Sequence, residues 1–228
     1  MAGTWTFAQF TSFLKFMMGN RTDLESPTDY YDIWVNDAYI QLTTQDKFWG
    51  INRSFRFPQL ETSKTYSTAD GTAYIAVPDN ALIIREVYDT TNNKRLTWIP
   101  WQEYIKKTDR TDTSAEANPT KWTRYENSVY LYPTPGSVNV MTEYYRKIPA
   151  VLSGSGTSEL DTAWDNPILL LAAYKGFLWM GEYDKAKTMR QEFVDTIGSL
   201  MTIYGQEEKA RVESWRPDEA YMQFTYDR

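Results

Sequence analysis

The sequence predicts an α+β protein: a four-helix bundle built from both ends of the chain, an inserted antiparallel β-sandwich or barrel, and an extended C-terminal arm. Apolar residues recur at helical spacing near both ends. Between these regions, apolar and polar residues alternate in short runs that turn signals separate. The 228 residues are enough to bury a sizeable core. The predicted parts are residues 1–50, 51–152, 153–205 and 206–228, in the order N-terminal helices, β domain, helical hairpin and arm.

The first helix is predicted over residues 6–18. Thr6 followed by Gln9 is a candidate capping box, and Gly19 is placed to end the helix. The apolar side chains of this segment recur at helical spacing, which predicts an amphipathic helix: Phe7, Phe10, Leu14 and Met17.

The second helix is predicted to begin at Ser26 and Pro27, because Ser is favoured at the N-cap and Pro at the first helical position. Two neighbouring apolar stripes follow, and a stripe this wide predicts contacts on more than one side. The stripes are Tyr30, Trp34, Ala38 and Leu42, and Tyr31, Val35 and Tyr39. The second stripe is either a subunit interface or the inner face of a helix in its own bundle.

The β region contains several short predicted strands between turns. Asp70-Gly71 is a strong turn signal between alternating segments, and Asn92-Asn93 is the next turn. Strands are predicted over 54–58, 63–69, 82–87 and 95–99, the third buried on both faces. Residues 101–107 are predicted to form a short helix, and residues 109–120 a loop.

The clearest β pattern runs from Trp122 to Leu152 and predicts a strand, a turn and a second strand. Val129 and Leu131 fall on one side of the first strand, and Tyr130 and Tyr132 on the other. The turn is marked by prolines and a glycine, and Pro149 ends the second strand because it cannot donate to a ladder. The turn residues are Pro133, Pro135 and Gly136.

Two more helices are predicted after the Gly- and Ser-rich linker 153–158. One begins at Asp165-Asn166-Pro167, is apolar on most faces and ends at Gly181, which indicates a buried helix. The other keeps helical spacing for about twenty residues from Tyr183, and together they form an antiparallel hairpin.

The C-terminal arm, residues 206–228, has a different pattern. Met222, Phe224 and Tyr226 alternate with polar residues, which suits addition of a strand to a partner's sheet. The alternative is a disordered end with incidental aromatic residues. The residues predicted to bind a partner are Trp215, Tyr221, Met222, Phe224 and Tyr226.

The composition excludes most catalytic chemistry. The chain has no His and no Cys, so it has no disulfide, no Cys or His metal site and no Ser–His or Cys–His catalysis. No glycine-rich phosphate loop is present, and no cofactor is predicted. The net charge of −6 argues against a dedicated duplex-DNA binder. The sequence shows no secretory signal, and its longest apolar run, Ile168 to Tyr174, is too short for a membrane span.

Two other function classes stay open on the residues alone. A carboxylate-based hydrolase would use Asp109, Asp112 and Glu116, or Asp161 and Asp165, although such clusters are more often solvated surface or caps. A carbohydrate-binding module would stack sugars on exposed tryptophans, because aromatic faces suit such contacts. The candidate tryptophans are Trp98, Trp101 and Trp122.

Four ordered segments resemble the head-to-tail adaptor, or connector, proteins of tailed and notably short-tailed bacteriophages. Each segment is degenerate alone, and their order carries the resemblance. They are residues 34–39 (WVNDAY), residues 70–74 (DGTAY) with 77–79 (VPD), residues 127–135 (NSVYLYPTP), and residues 144–149 (YYRKIP) with Leu152. The closing helical hairpin matches as well.

The resemblance implies a structural virion protein without catalysis. Such adaptors form rings, typically of twelve copies, beneath the portal protein and carry the tail or nozzle proteins. The helical region would then contact the portal and neighbouring copies, and the β region would face the tail. DNA would pass through the channel without sequence-specific binding, and an acidic lumen would let it slide. The alternative interpretation is that the chain is a neighbouring neck or tail-completion protein of similar build. The implied location is the virion neck, after assembly in the host cytoplasm and without a membrane.

Overall fold

The computed structural model describes residues 4–26, 28–45, 49, 57–110 and 116–214, with backbone only for residues 110, 201 and 203–214. The chain divides into two compact units. The helical unit comprises Met1–Ser54 and Leu152–Arg228, and the β unit comprises Phe55–Val151. The predicted α+β class is confirmed.

Five α-helices lie in the described residues, four of them in the helical unit. These four are α1 (Phe7–Met17), α2 (Tyr30–Thr44), α4 (Asp165–Trp179) and α5 (Tyr183–Ser214), and α3 (Trp101–Arg110) belongs to the β unit. α5 is longer than predicted, since residues 206–214 of the predicted arm continue the helix. The arm residues beyond them, 215–228, lie outside the described residues.

The predicted capping box of α1 is confirmed. The backbone N–H of Gln9 donates to the Thr6 hydroxyl at 3.3 Å, and the N–H of Thr6 donates to the Gln9 side-chain oxygen at 2.8 Å. Two otherwise unpaired donors at the helix start are satisfied in this way. Gly19 follows the helix with a φ of 77°, the left-handed conformation that glycine tolerates.

The predicted start of α2 at Ser26 is wrong, because Asp29 caps this helix. The Asp29 carboxylate accepts the backbone N–H groups of Tyr31 at 3.0 Å and Asp32 at 3.3 Å. An ionised carboxylate at the N-cap also complements the positive end of the helix dipole, which a Ser hydroxyl does not. Pro27 lies outside the described residues.

α4 is buried on almost every side, as its sequence predicts, and it packs against α1, α2 and α5. Its buried residues include Pro167, Ile168, Leu169, Leu170, Leu171, Ala172, Ala173, Gly176 and Phe177. Gly181 ends the hairpin turn with a φ of 76°. A four-helix bundle, which specifies more than these pairwise contacts, stays a prediction for this unit.

Eight strands in the described part of the β unit form two four-stranded sheets. One sheet has the order β1-β8-β3-β4 and the other β2-β7-β6-β5. All pairs are antiparallel except the short β5–β6 pair. The strands are β1 (Glu61–Ser67), β2 (Tyr74–Ala76), β3 (Ala81–Asp89), β4 (Lys94–Arg95), β5 (Thr97–Trp98), β6 (Lys121–Tyr125), β7 (Ser128–Tyr132) and β8 (Val140–Lys147).

The predicted alternation in β7 is confirmed. Val129 and Leu131 are fully buried, and Tyr130 and Tyr132 are half-buried on the other face. The buried side chains come from both sheets and form one cluster: Ile75, Val77, Ala81, Ile84, Val87, Leu96, Trp122, Val129, Leu131, Met141 and Tyr145. A sandwich or barrel is the arrangement predicted for these sheets and stays a prediction.

The turn at Asp70-Gly71 forms, but it does not close a hairpin. β1 pairs with β8 and β2 pairs with β7, so the chain changes sheets at this turn. The N–H of Gly71 donates to the carbonyl of Pro135 at 2.9 Å, in the segment where the chain changes sheets again between β7 and β8. Two hairpins do form among the described residues. One has a two-residue turn at Glu126 and Asn127, between β6 and β7, and the other joins β3 to β4 through residues 90–93, which include the predicted turn Asn92-Asn93.

Other boundaries differ in detail from the predictions. The strand predicted over 95–99 is divided between β4 and β5, which lie in different sheets, because the intervening Leu96 is buried in the core cluster. β3 exposes Arg85, so it is not buried on both faces throughout. The predicted helix 101–107 extends to Arg110. In the strand predicted over 54–58, residues 54–56 lie outside the described residues and Pro58 begins a 3₁₀ turn.

We predict that Gly176→Ala destabilises the helical unit. A Cβ at this position would meet the Trp34 ring at 2.9 Å and also the methyl group of Met18, and the indole cannot move without disturbing α2. Overpacking of this kind costs ~1–3 kcal/mol of unfolding free energy. Urea denaturation measures the loss.

Gly198→Ala in α5 is the matched control, because nothing lies within 4 Å of its added Cβ. This exposed helical position should gain ~0.5–1 kcal/mol, since Ala has the higher helix propensity. Equal effects of the two substitutions would contradict the packing of α4 on α2.

Candidate interaction surfaces

The described carboxylates of the proposed hydrolase loop lie in different segments of the β unit. Asp109 lies on α3, whereas Glu116 lies against Gly71 and Gly136, and Asp112 lies outside the described residues. Among the described residues, no group of three or more acidic side chains could hold a metal ion. Asp109 and Glu116 therefore do not form a recognisable catalytic site in the described part of the chain.

Asp165 connects the start of α4 to the N-terminal segment. Its carboxylate accepts the backbone N–H of Trp5 at 2.9 Å, and the neighbouring N–H of Phe7 donates to the carbonyl of Gly156 at 2.8 Å. Burial raises the pKa of Asp165 to about 6, although the Trp5 N–H and the Ser158 hydroxyl oppose the rise. This carboxylate is a structural tether.

Glu143 is a buried carboxyl that the sequence analysis missed. It lies on β8 between Met141 and Tyr145, two residues of the core cluster, and it is fully buried. Neither carboxyl oxygen has a hydrogen-bond partner among the described residues. Burial raises the pKa of Glu143 to about 7, and the charges of Lys64 and Arg124 oppose the rise. Its alternation with Met141 and Tyr145 is the signal that could have placed it inside.

The three tryptophans proposed for sugar stacking do not share one surface. Trp122 is buried in the core cluster, and Trp98 is 57% exposed. Trp101 is half-buried and stacks on Tyr125 at 4.2 Å and on Tyr104 at 5.2 Å between ring centroids. Its ring faces are therefore engaged within the chain, and the structure does not favour a carbohydrate platform.

The Trp101 stack belongs to an aromatic cluster that joins α3 to the outer face of the second sheet. Tyr130 of β7 contacts the rings of Trp101, Tyr104 and Tyr74 at centroid distances of 5.1, 5.5 and 5.9 Å. The alternation in β7 places Tyr130 on this face, opposite the core. Tyr74 and Tyr125 keep large exposed areas at the margins of the cluster.

The helical unit has an exposed aromatic surface at one end, which we name the aromatic end patch. It consists of Tyr30 and Trp34 at the start of α2 and Trp179 at the end of α4. The Trp179 ring lies 4.8 Å from Tyr30 and 5.8 Å from Trp34, between centroids. Trp34 is buried, whereas Trp179 is 57% exposed.

A basic side chain lies beside the aromatic end patch. The Arg21 guanidinium donates to the sulfur of Met180 at 3.3 Å and forms an ion pair with Asp23 at 2.7 Å. The carbonyl of Arg21 accepts the hydroxyl of Tyr31 at 3.1 Å. Trp, Tyr and Arg are the residue types that most often carry binding energy at protein interfaces.

The three α2 residues predicted at a subunit interface are fully buried in the helical unit. Tyr31, Val35 and Tyr39 have no exposed surface, and the Tyr39 hydroxyl accepts the backbone N–H of Glu159 at 2.9 Å. Such burial is what the alternative interpretation, a helix inside its own bundle, requires. A subunit contact through these residues stays a prediction that a single chain does not test.

The predicted partner-binding residues of the arm lie outside the described residues: Trp215, Tyr221, Met222, Phe224 and Tyr226. The exposure of Trp179 was not predicted from the sequence either, because an α4 that is apolar on most faces indicates a buried helix. The position of this Trp at the last residue of an apolar helix, just before the glycine turn, could have indicated its exposure.

A family model described as SU10 adaptor protein matches residues 6–218 of the chain. The match includes most of both segments of the helical unit and all of the β unit. No curated protein matches the chain. Within its described residues, no helix is both long enough and apolar enough to cross a membrane.

We predict that Glu143 makes the protein less stable as pH rises. Its folded pKa of about 7 exceeds the ordinary 4.5, so between these values the folded state holds a proton that the unfolded state has lost. The stabilisation is complete below about pH 4.5 and lost above about pH 7. Glu143→Gln should remove this ~3 kcal/mol fall in unfolding free energy. Urea denaturation from pH 4.5 to 8 measures it.

Glu126→Gln, at an exposed turn of the same unit, is the control and should follow the original protein. The original protein and Glu143→Gln should have similar stabilities at low pH, and the variant should be more stable at pH 8. If the unfolding free energies of the original protein and of Glu143→Gln changed with pH in parallel, the burial of the Glu143 carboxyl would be contradicted.

Proposed function

Because the chain belongs to the SU10 adaptor protein family, we propose that it joins the portal protein to the tail in the neck of a bacteriophage. The match over residues 6–218 is the observation that carries the proposal, because it extends across both structural units. In this role the protein is a structural component of the virion and not an enzyme. The tail is of the short type that the sequence resemblance implies, and the protein assembles in the host cytoplasm.

We propose that several copies form a closed ring, with twelve as the expected number. An oligomer would cover large apolar side chains that the helical unit exposes. The most exposed of them are Phe16, Trp179 and Tyr183. A contact along α2 would use an exposed residue such as Ile33, since the inner stripe of that helix is already covered.

We propose that the aromatic end patch contacts the portal protein or a neighbouring copy. A Trp supported from below by two other aromatic rings presents a large rigid surface at a low cost in side-chain entropy. Arg21 adds a charged group at the rim, which suits the polar margin of an interface.

The C-terminal arm residues complete this proposed contact set. Their alternation of apolar and polar side chains supports pairing with a partner, as the sequence analysis describes. The partner is the portal protein or a neighbouring copy, and the tail or nozzle proteins bind on the β unit.

DNA passes through the ring without sequence-specific binding in this proposal. The net charge of −6 supports a lumen that repels phosphate groups and lets DNA slide. A role as a neighbouring neck or tail-completion protein predicts no direct contact with portal particles, so a binding experiment separates the two.

We predict that Trp179→Ala weakens binding to portal particles. A central interface Trp contributes ~2 kcal/mol or more, which corresponds to about thirtyfold in Kd. Co-sedimentation of the purified chain with portal particles, over a range of concentrations, measures the change. Near-ultraviolet circular dichroism checks that the variant is folded.

Trp98→Ala is the matched control, because Trp98 has the same exposed fraction, 57%, but lies at a sheet edge of the β unit. It should bind portal particles like the original protein. Unchanged binding of both variants would contradict a portal contact through the aromatic end patch and leave a neighbouring copy as its partner. Failure of the original protein to bind would contradict the adaptor proposal itself.

A further inference from the structure

β1 leaves one edge of the first sheet without a partner strand among the described residues. It is the outermost strand in the order β1-β8-β3-β4. All seven of its residues pair with β8 in one continuous antiparallel register, from Glu61 opposite Arg146 to Ser67 opposite Val140. Such an edge presents a row of N–H and C=O groups that another strand can pair with.

β1 carries few of the features that protect exposed strand edges. It contains no proline, its register has no bulge, and every one of its residues is exposed or half-exposed. Lys64 is the one basic residue of the strand. Seven residues is long for a strand whose outer edge is unpaired among the described residues.

One residue of β1 packs against the core cluster at this edge. Tyr66, opposite Met141, packs against the core cluster but stays partly exposed. Thr62 and Lys64 share its face, because side chains alternate along a strand. An added strand with apolar side chains on that face would extend the core cluster beyond Tyr66.

The chain contains one segment with the required pattern, outside the described residues. As a strand, residues 221–227 would have Met222, Phe224 and Tyr226 on one face. The other face would carry Tyr221, Gln223, Thr225 and Asp227. The segment has seven residues, the same number as β1. Its apolar face would cover the Tyr66 side, and its polar face would continue the exposed side of the sheet.

We propose that the 221–227 segment of one copy adds as a strand to the free edge of β1 in a neighbouring copy. This inference rests on the proposed ring and specifies the partner of the arm. Each copy would give its arm to one neighbour and receive the arm of its other neighbour at β1, which is a heterologous contact between two different surfaces that can close into a ring. Main-chain hydrogen bonds would provide affinity, and the alternating side chains would fix the register.

Single-cysteine variants test the exchange directly, because the natural chain has no Cys. One full-length protein carries Ser63→Cys or Thr65→Cys, on the exposed face of β1, and the other carries Gln223→Cys or Thr225→Cys. The two proteins are mixed, assembled on portal particles and oxidised. At least one of the four combinations should form the mixed disulfide, since side chains opposite each other on paired strands lie within disulfide reach.

Two controls test whether the disulfide is specific to β1 and whether it depends on strand pairing by the arm. Thr97→Cys, on the edge strand of the other sheet, should form at least tenfold less mixed disulfide with the same arm cysteine. Adding Phe224→Pro to the arm protein removes one ladder N–H and one apolar contact, and it should lower the yield at least tenfold. Phe224→Tyr should leave the yield unchanged.

The possible outcomes distinguish this inference from the adaptor proposal. A mixed disulfide with the expected controls supports strand exchange between copies. Docking on portal particles without a mixed disulfide in any combination overturns the inference while the adaptor proposal stands. A double-cysteine chain that forms only an internal disulfide also overturns it, because the arm then pairs with its own β1. Failure to dock at all overturns the adaptor proposal.

Discussion

The burial of α4 is the constraint on which the helical unit depends. This helix is apolar on nearly all sides, and it can be stable in water only if helices from the other end of the chain cover it. Trp34 of α2 packs against Gly176, more than a hundred residues away in sequence. Asn36 adds two hydrogen bonds to the backbone of Leu152, at 3.1 and 2.7 Å, where the chain re-enters the unit. The segment between these contacts forms the β unit.

This construction leaves the two units with different surfaces. The β unit engages most of its large aromatic rings in contacts of its own, as the stacking of Trp101 on Tyr125 shows. The helical unit exposes Trp179 to the same extent as the β unit exposes Trp98, but the Trp179 ring lies over Tyr30 and Trp34 of α2. Rigid support of an exposed Trp lowers the entropy lost on binding, so this end of the unit suits a permanent contact in an assembly. The adaptor role proposed for the chain needs such contacts and no catalytic group.

Local signals in the sequence predicted the features that depend only on residues close together in the chain, such as a helix cap. The Thr6–Gln9 capping box formed as expected, because its two hydrogen bonds join residues three apart. The turn at Asp70-Gly71 formed too, but its local signal did not indicate which strands pair on either side, since pairing of β1 with β8 depends on residues far along the chain. Long-range packing also buried Trp122, which its aromatic character alone could not indicate. The position of Glu143 was readable from strand alternation, yet a charged residue at a core position contradicts composition rules and was overlooked.

The mass of the complex formed with portal particles tests the central claim most directly. Native mass spectrometry of the full chain, alone and mixed with portal particles, measures how many 26.6 kDa copies each particle carries. The account predicts one saturated complex whose mass exceeds that of the portal particle by a fixed whole number of copies. Portal particles that keep their original mass beside a free chain would contradict it.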